Sequence, residues 1–126
     1  MKQNPNGVLA TQDGQGVRTR VFQYLFADGN KVYFGTSNNK PVYEQLRANP
    51  KVSFCTYHQS FNPVLSVNGK AIFTEDIVLK TRVLDENPLI KGIYQTAGNP
   101  IFKLFYIEVE EIETFSFAEG PKSYKL

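Results

Sequence analysis

Apolar and polar residues alternate with a period of two along most of this chain, broken at short intervals by turn residues. Residues 7–11 (GVLAT) read as a short strand, and Gln12, Asp13, Gly14, Gln15 and Gly16 supply turn chemistry. A second strand is expected from residue 17 to about 27. Its side chains alternate between faces. Val17, Thr19, Val21 and Leu25 share one face, which resembles a barrel interior. Arg18, Arg20, Phe22, Tyr24 and Phe26 share the other. That second set joins two cations to three aromatics, which suits a ligand or a partner subunit better than water. Asp28-Gly29-Asn30 predicts a hairpin, because Gly and Asn tolerate the positive φ of tight turns. Residues 31–36 (KVYFGT) then return antiparallel.

The period changes after this hairpin. Ser37, Asn38, Asn39 and Lys40 form a polar loop, and Pro41 fits the first turn of a helix, where its missing N–H costs nothing. That helix covers about 42–48 and stops before Pro50. Residues 51–58 form a strand with Val52, Phe54 and Thr56 opposite Ser53, Cys55 and Tyr57. Residues 64–75 form a long strand interrupted by Gly69, which marks a bulge or a close backbone approach. Asp76 is an expected N-cap for a helix to about Glu86, with Leu79, Val83 and Leu84 on its buried side. Residues 89–94 suggest one more helical turn. Residues 102–117 (FKLFYIEVEEIETFSF) alternate strongly, with a phase slip near Glu110-Glu111. The tail, 118–126, is polar. Some six mostly antiparallel strands with both faces partly apolar predict a mainly β protein, a small closed barrel with short helices.

Length and composition narrow the function. A chain of 126 residues makes one domain, 1–126. A net charge of +2 gives no electrostatic case for nucleic-acid binding, so a small barrel stacking bases on aromatics is the weaker alternative. One cysteine makes no internal disulfide, and no apolar run reaches membrane length, so a cytoplasmic protein is expected. With one histidine and one cysteine there is no transition-metal motif. His58 reads as a surface or capping histidine. Cys55 reads as an inward-facing small hydrophobe. Glu108, Glu110, Glu111 and Glu113 alternate with Ile and Val, which makes them a solvated strand face rather than acid–base chemistry. Tyr57 and Phe61 fit core packing or stacking on a ligand from a partner subunit.

Candidate chemistry concentrates between residues 17 and 50. A phosphate needs positive charge and convergent donors. A helix N-terminus after a polar loop supplies backbone N–H groups and a favourable dipole. Thr36, Ser37, Asn38 and Asn39 add side-chain donors and Lys40 adds a charge. Arg18 and Arg20 point the same way, roughly 7 Å apart at two strand rises. On these residues alone, a solvated capping loop beside two surface arginines is the competing reading.

The stretch VRTRVFQYLF, the Asp-Gly hairpin, YFGTSNNK and the helix ending QLRANPKVSF resemble the pyridoxamine 5′-phosphate oxidase-like FMN-binding split-barrel superfamily, in particular its small bacterial members of unassigned activity. SVNGKAIF, the helix after Glu75 and FYIEVEEIETFSF extend the resemblance over nearly the whole chain from Gly7. It implies a six-stranded antiparallel split barrel that forms a homodimer, with FMN in clefts at the subunit interface. By position, Arg18, Thr19, Arg20 and Val21 would line the flavin ring. Phe34, Gly35 and Thr36 would sit on the adjacent strand, and Ser37, Asn38 and Lys40 would hold the phosphate. The implied activity is that of a flavin-dependent oxidoreductase acting on a small molecule. A non-enzymatic module that stores or senses a flavin, haem or deazaflavin is the alternative. The family usually has a helix ahead of its first strand, and almost none is expected here. Pro41 and Val42 stand where the oxidases carry a basic pair. Val64 stands where they carry a glutamine, and GPKSYKL lacks their substrate-binding set. Vitamin B6 oxidation is therefore not expected.

Overall fold

The computed structural model describes residues 6–57 and 63–126. Residues 1–5 and 58–62, and with them the expectations for His58 and Phe61, lie outside this description. The elements are β1 (Asn6–Asp13), β2 (Gly16–Gln23), β3 (Phe26–Asp28), β4 (Lys31–Ser37), α1 (Pro41–Ala48), β5 (Lys51–Tyr57), β6 (Val64–Thr74), α2 (Ile77–Glu86), α3 (Pro88–Tyr94), β7 (Phe102–Ser116) and β8 (Gly120–Lys125). The strands form one antiparallel sheet in the order β2-β1-β5-β6-β7-β4-β3, with β8 added to β7.

Two expectations about the sheet are corrected. Among the described residues it holds eight strands rather than six, and its hydrogen-bond ladder does not close. The predicted strand from 17 to 27 is the reason. It breaks at Tyr24 and Leu25 into β2 and β3, which sit at opposite ends of the strand order. The chain curls the sheet round without zipping it. The pairing of β3 with β4 stops at Phe26–Tyr33, followed by one hydrogen bond from the Leu25 N–H to the Tyr33 carbonyl. Among the described residues, Phe34 to Ser37 are paired only with β7 on one side. A seam is left between that half of β4 and β2.

The face assignment on β2 is also reversed. Leu9 pairs with Arg20 and Thr11 with Arg18, and Leu9 and Thr11 are buried. Residues paired across an antiparallel ladder share a face, so Arg18, Arg20 and Phe22 face inward. Val17 and Val21 are the exposed set, at 68% and 74%. Cys55 follows the same logic. Val52, Phe54 and Thr56 are buried, whereas Cys55 lies on the opposite face and is only half-buried. The polar tail is a strand: β8 pairs with β7 from Glu111–Lys125 to Ser116–Gly120.

Other sequence signals have clear structural counterparts. Gly29 takes a φ of 60° in the hairpin between β3 and β4. The Asp76 side chain accepts hydrogen bonds from the Val78 and Leu79 N–H groups and so caps α2. Register shifts at Gly69, where Asn68 faces Glu111 but Gly69 faces Val109, and Glu110 is the extra residue of a bulge.

The core has two parts. Inside the curl, Phe34 packs against Phe54 and Phe105 with ring centroids 4.8 and 5.4 Å apart, and Phe22 meets Phe34 edge-on at 6.0 Å. Val42 and Leu46 of α1 close this cluster. On the other face of β4 and β7, α2 and α3 bury Val83, Leu84 and Tyr94 against Phe26, Tyr33, Phe102 and Leu104. Lys80 of α2 is buried as well, which the apolar pattern did not anticipate. Its ammonium donates to Glu75 at 2.7 Å and to the Phe102 carbonyl at 3.2 Å.

Candidate functional site

The seam between β2 and β4 opens into a cavity of about 770 Å³. Ligand sites for small molecules typically run to ~300–1,000 Å³. Its wall comprises Arg18, Arg20, Val21, Phe22 and Gln23 of β2, Asp13 and Gly35 from β1 and β4, and Lys40, Pro41, Val42 and Gln45 at the head of α1. Each part has a local cause. Val42 and Leu46 turn inward to the core, which carries Pro41 and Gln45, one turn apart, to the cavity side. Pro41 starts the helix at its first position. Lys40 occupies the cap with extended backbone and no side-chain capping bond.

Three cations and one carboxylate line the cavity, leaving two net positive charges. Arg18 donates from Nε to Asp13 at 3.1 Å in an exposed ion pair. Arg20 has no carboxylate partner among the described residues. Its Nη1 donates to the Thr11 hydroxyl at 3.0 Å and its Nη2 donates to the Gln45 side-chain oxygen at 2.6 Å. Burial, and after it the charge of Arg18, push the Arg20 pKa down from its ordinary value, and Asp13 opposes this. Arginine stays ionised all the same. Lys40 makes no salt bridge among the described residues. An anion entering here meets charge that the protein leaves uncompensated.

Of the ten residues singled out in the sequence, the structure brings Arg18, Arg20, Val21, Gly35 and Lys40 onto this wall. The others lie off it. Thr19 sits on the outer face. Phe34 is in the core. Thr36 is buried, with a hydroxyl that has no partner among the described residues. The Ser37 hydroxyl bonds the Tyr94 hydroxyl of α3. The Asn38 amide nitrogen donates to the Pro100 carbonyl at 3.3 Å, and its N–H donates to the Ile101 carbonyl at 3.0 Å, which ties the loop to the start of β7. The sequence did not point to Asp13, Gln23, Val42 or Gln45 as wall residues, whereas Phe22 already stood on the face read as suited to a ligand and Pro41 at the helix start. Gln45 was the one within reach, because it lies four residues after Pro41 on the face where α1 begins.

The fold is an open antiparallel split barrel, and its seam cavity carries two net positive charges. The family model for pyridoxamine 5′-phosphate oxidase matches residues 1–116, and the chain belongs to that family. No curated protein matches it by sequence. Among solved structures it is similar to a NimC/NimA family protein from Clostridium acetobutylicum, with a TM-score of 0.86 and 25% identity, over 99% of this chain and 87% of that one. General Stress Protein 26 from Bacillus anthracis gives 0.83 and 20%, over 98% and 90%. A heme binding protein from Mycobacterium smegmatis gives 0.80 and 16%, over 98% of this chain and 54% of that one. The last two show the fold alone. No helix among the described residues is long and apolar enough to cross a membrane.

Proposed function

We propose that the seam cavity binds FMN and that the protein is a cytoplasmic flavin-dependent oxidoreductase of a small molecule. One observation carries this reading: Arg18, Arg20 and Lys40, from two separate elements, line a single cavity at the head of α1. That donor set fits a phosphate or another anionic group. Phe22 offers apolar wall for a flat ring. Bound flavin supplies hydride chemistry, and the protein supplies orientation and charge near the ring. Lys40 meets the phosphate at the helix mouth, and Arg20 places a positive charge at the ring or the phosphate. Thr19, Phe34, Thr36, Ser37 and Asn38 serve the site by holding the strands and loop that carry the wall.

A haem-binding role is the second reading, prompted by the fold of the mycobacterial protein. Haem iron takes His, Cys, Met or Tyr as ligand, and none of these is among the wall residues described. That favours the flavin. A homodimer is part of the proposal. Val17 and Val21 are exposed beside the cavity, so a second copy covering them would also wall in the ligand.

The purified protein should be yellow, or become so with added FMN, and release FMN on denaturation. A protein that stays colourless after reconstitution rules the reading out. The replacement Lys40→Ala is expected to weaken FMN binding about tenfold by fluorescence titration, the value of one charge-assisted contact. Unchanged affinity would remove Lys40 from the phosphate site.

A further inference from the structure

The two cavity arginines are held in different ways. Arg18 is met by a carboxylate, Asp13, whereas Arg20 is met only by neutral oxygens. The Thr11 hydroxyl also donates to the Gln45 oxygen at 3.2 Å, so Thr11, Gln45 and Arg20 close a three-membered ring of hydrogen bonds. Two donors converge on one Gln45 oxygen. A carboxylate at position 45 would satisfy both equally well and would differ from glutamine by little more than its charge. The position therefore separates two jobs, holding the guanidinium still and neutralising it.

We propose that Gln45 is the positioning residue that fixes Arg20 in the cavity while leaving its charge free, and that this neutrality makes the seam selective for anionic ligands. The inference deepens the flavin reading and rests on the same cavity. Thr11 is buried at 1% exposure, so the ring is anchored in the body of the protein. Of the two guanidinium groups, Arg20 is the one an incoming phosphate or anionic ring edge can claim without displacing a carboxylate. Arg18 must first be released by Asp13.

The test compares Gln45→Glu and Gln45→Met with the parent protein. Gln45→Glu keeps both hydrogen bonds and neutralises Arg20. Gln45→Met keeps the length, loses the bonds and leaves the charge. Inorganic pyrophosphate is the probe, followed as a shift in melting temperature at constant ionic strength. The expected order of apparent affinity is parent, then Gln45→Met within a few-fold, then Gln45→Glu weakened at least about tenfold by the added negative charge. If glutamate binds as well as glutamine, or if methionine is the worse of the two, Gln45 has a purely structural role and the proposal fails. If pyrophosphate stabilises none of the three, the cavity takes no anion and the proposal also fails. Circular dichroism of each variant checks that it is folded. FMN and riboflavin titrations of the parent protein test the flavin reading separately. Binding of pyrophosphate without either flavin would end that reading and leave the role of Gln45 standing. If FMN binds, Gln45→Glu should weaken it more than Gln45→Met does.

Discussion

Replacing Gly69 with alanine is expected to lower the unfolding free energy by about 3 kcal/mol, measured by urea denaturation. The cause is a contact between backbones. A β-carbon at Gly69 would lie 2.0 Å from the Glu108 carbonyl oxygen and 2.9 Å from its carbon. A flexible side chain could swing away from such an intrusion, but a backbone carbonyl inside a sheet cannot. The β6–β7 ladder must open at the bulge, where Glu110 is already looped out and Asn68 spans Glu111 and Glu113 with its amide. Gly92 is the natural control. Nothing lies within 4 Å of a β-carbon there and the residue is inside α3, so Gly92→Ala should be neutral or mildly stabilising through helix propensity. Equal stability of the two variants would mean that the bulge is looser than its geometry indicates.

Removing the carboxylate of Glu75 should be the next largest effect. Lys80 is 3% exposed, and its ammonium has only Glu75 and the Phe102 carbonyl as hydrogen-bond partners among the described residues. An ammonium held in a protein interior is costly once its partner is gone. Glu75→Ala is expected to cost about 2 kcal/mol, below the ~3–5 kcal/mol of a fully buried pair, because the Glu75 side chain is itself 67% exposed. Lys80→Met should cost less, since it removes the buried charge instead of stranding it. The pair also sets a pH dependence. The hydrogen bond from Lys80, ahead of a smaller one from Lys103, holds the Glu75 carboxyl below its ordinary value of 4.5, although burial works the other way. A carboxyl depressed in the folded state stabilises it at pH values above 4.5. That contribution is lost as the pH falls through the folded-state value. Melting temperature should therefore fall in acid more steeply for the parent protein than for Glu75→Gln. Parallel pH profiles would contradict the assignment.

How far the fold could be read in advance depended on whether a residue's reason was local. The Asp76 cap, the Gly29 turn and the Gly69 bulge each follow from backbone chemistry within a few residues, and each is where the pattern put it. The faces of β2 were misread because valine is usually inside and arginine outside. At the seam of an open barrel the preference inverts: the interior holds a polar cavity, while Val17 and Val21 look outward. β8 was hidden because an edge strand carries the lysines and proline that also mark a loose tail. Its attachment relies on polar contacts such as the Ser123 hydroxyl to Glu111 at 2.8 Å. The convergence of Arg18, Arg20 and Lys40 was legible because charge and a helix start stand out in any chain. The ring that holds Arg20 was not, because it joins residues 11, 20 and 45 through three elements, and no linear spacing encodes that.

The break at Tyr24 and Leu25 has a dynamic consequence. Among the described residues the backbone of β2 is paired with β1 alone, while β6 and β7 are flanked on both sides. Amide protons of β2 should exchange with solvent well before those of β6 and β7, since opening one edge disrupts few other bonds. A molecule lodged between β2 and α1 would fasten that edge, so ligand occupancy should register as slowed exchange in β2 without any change of shape elsewhere.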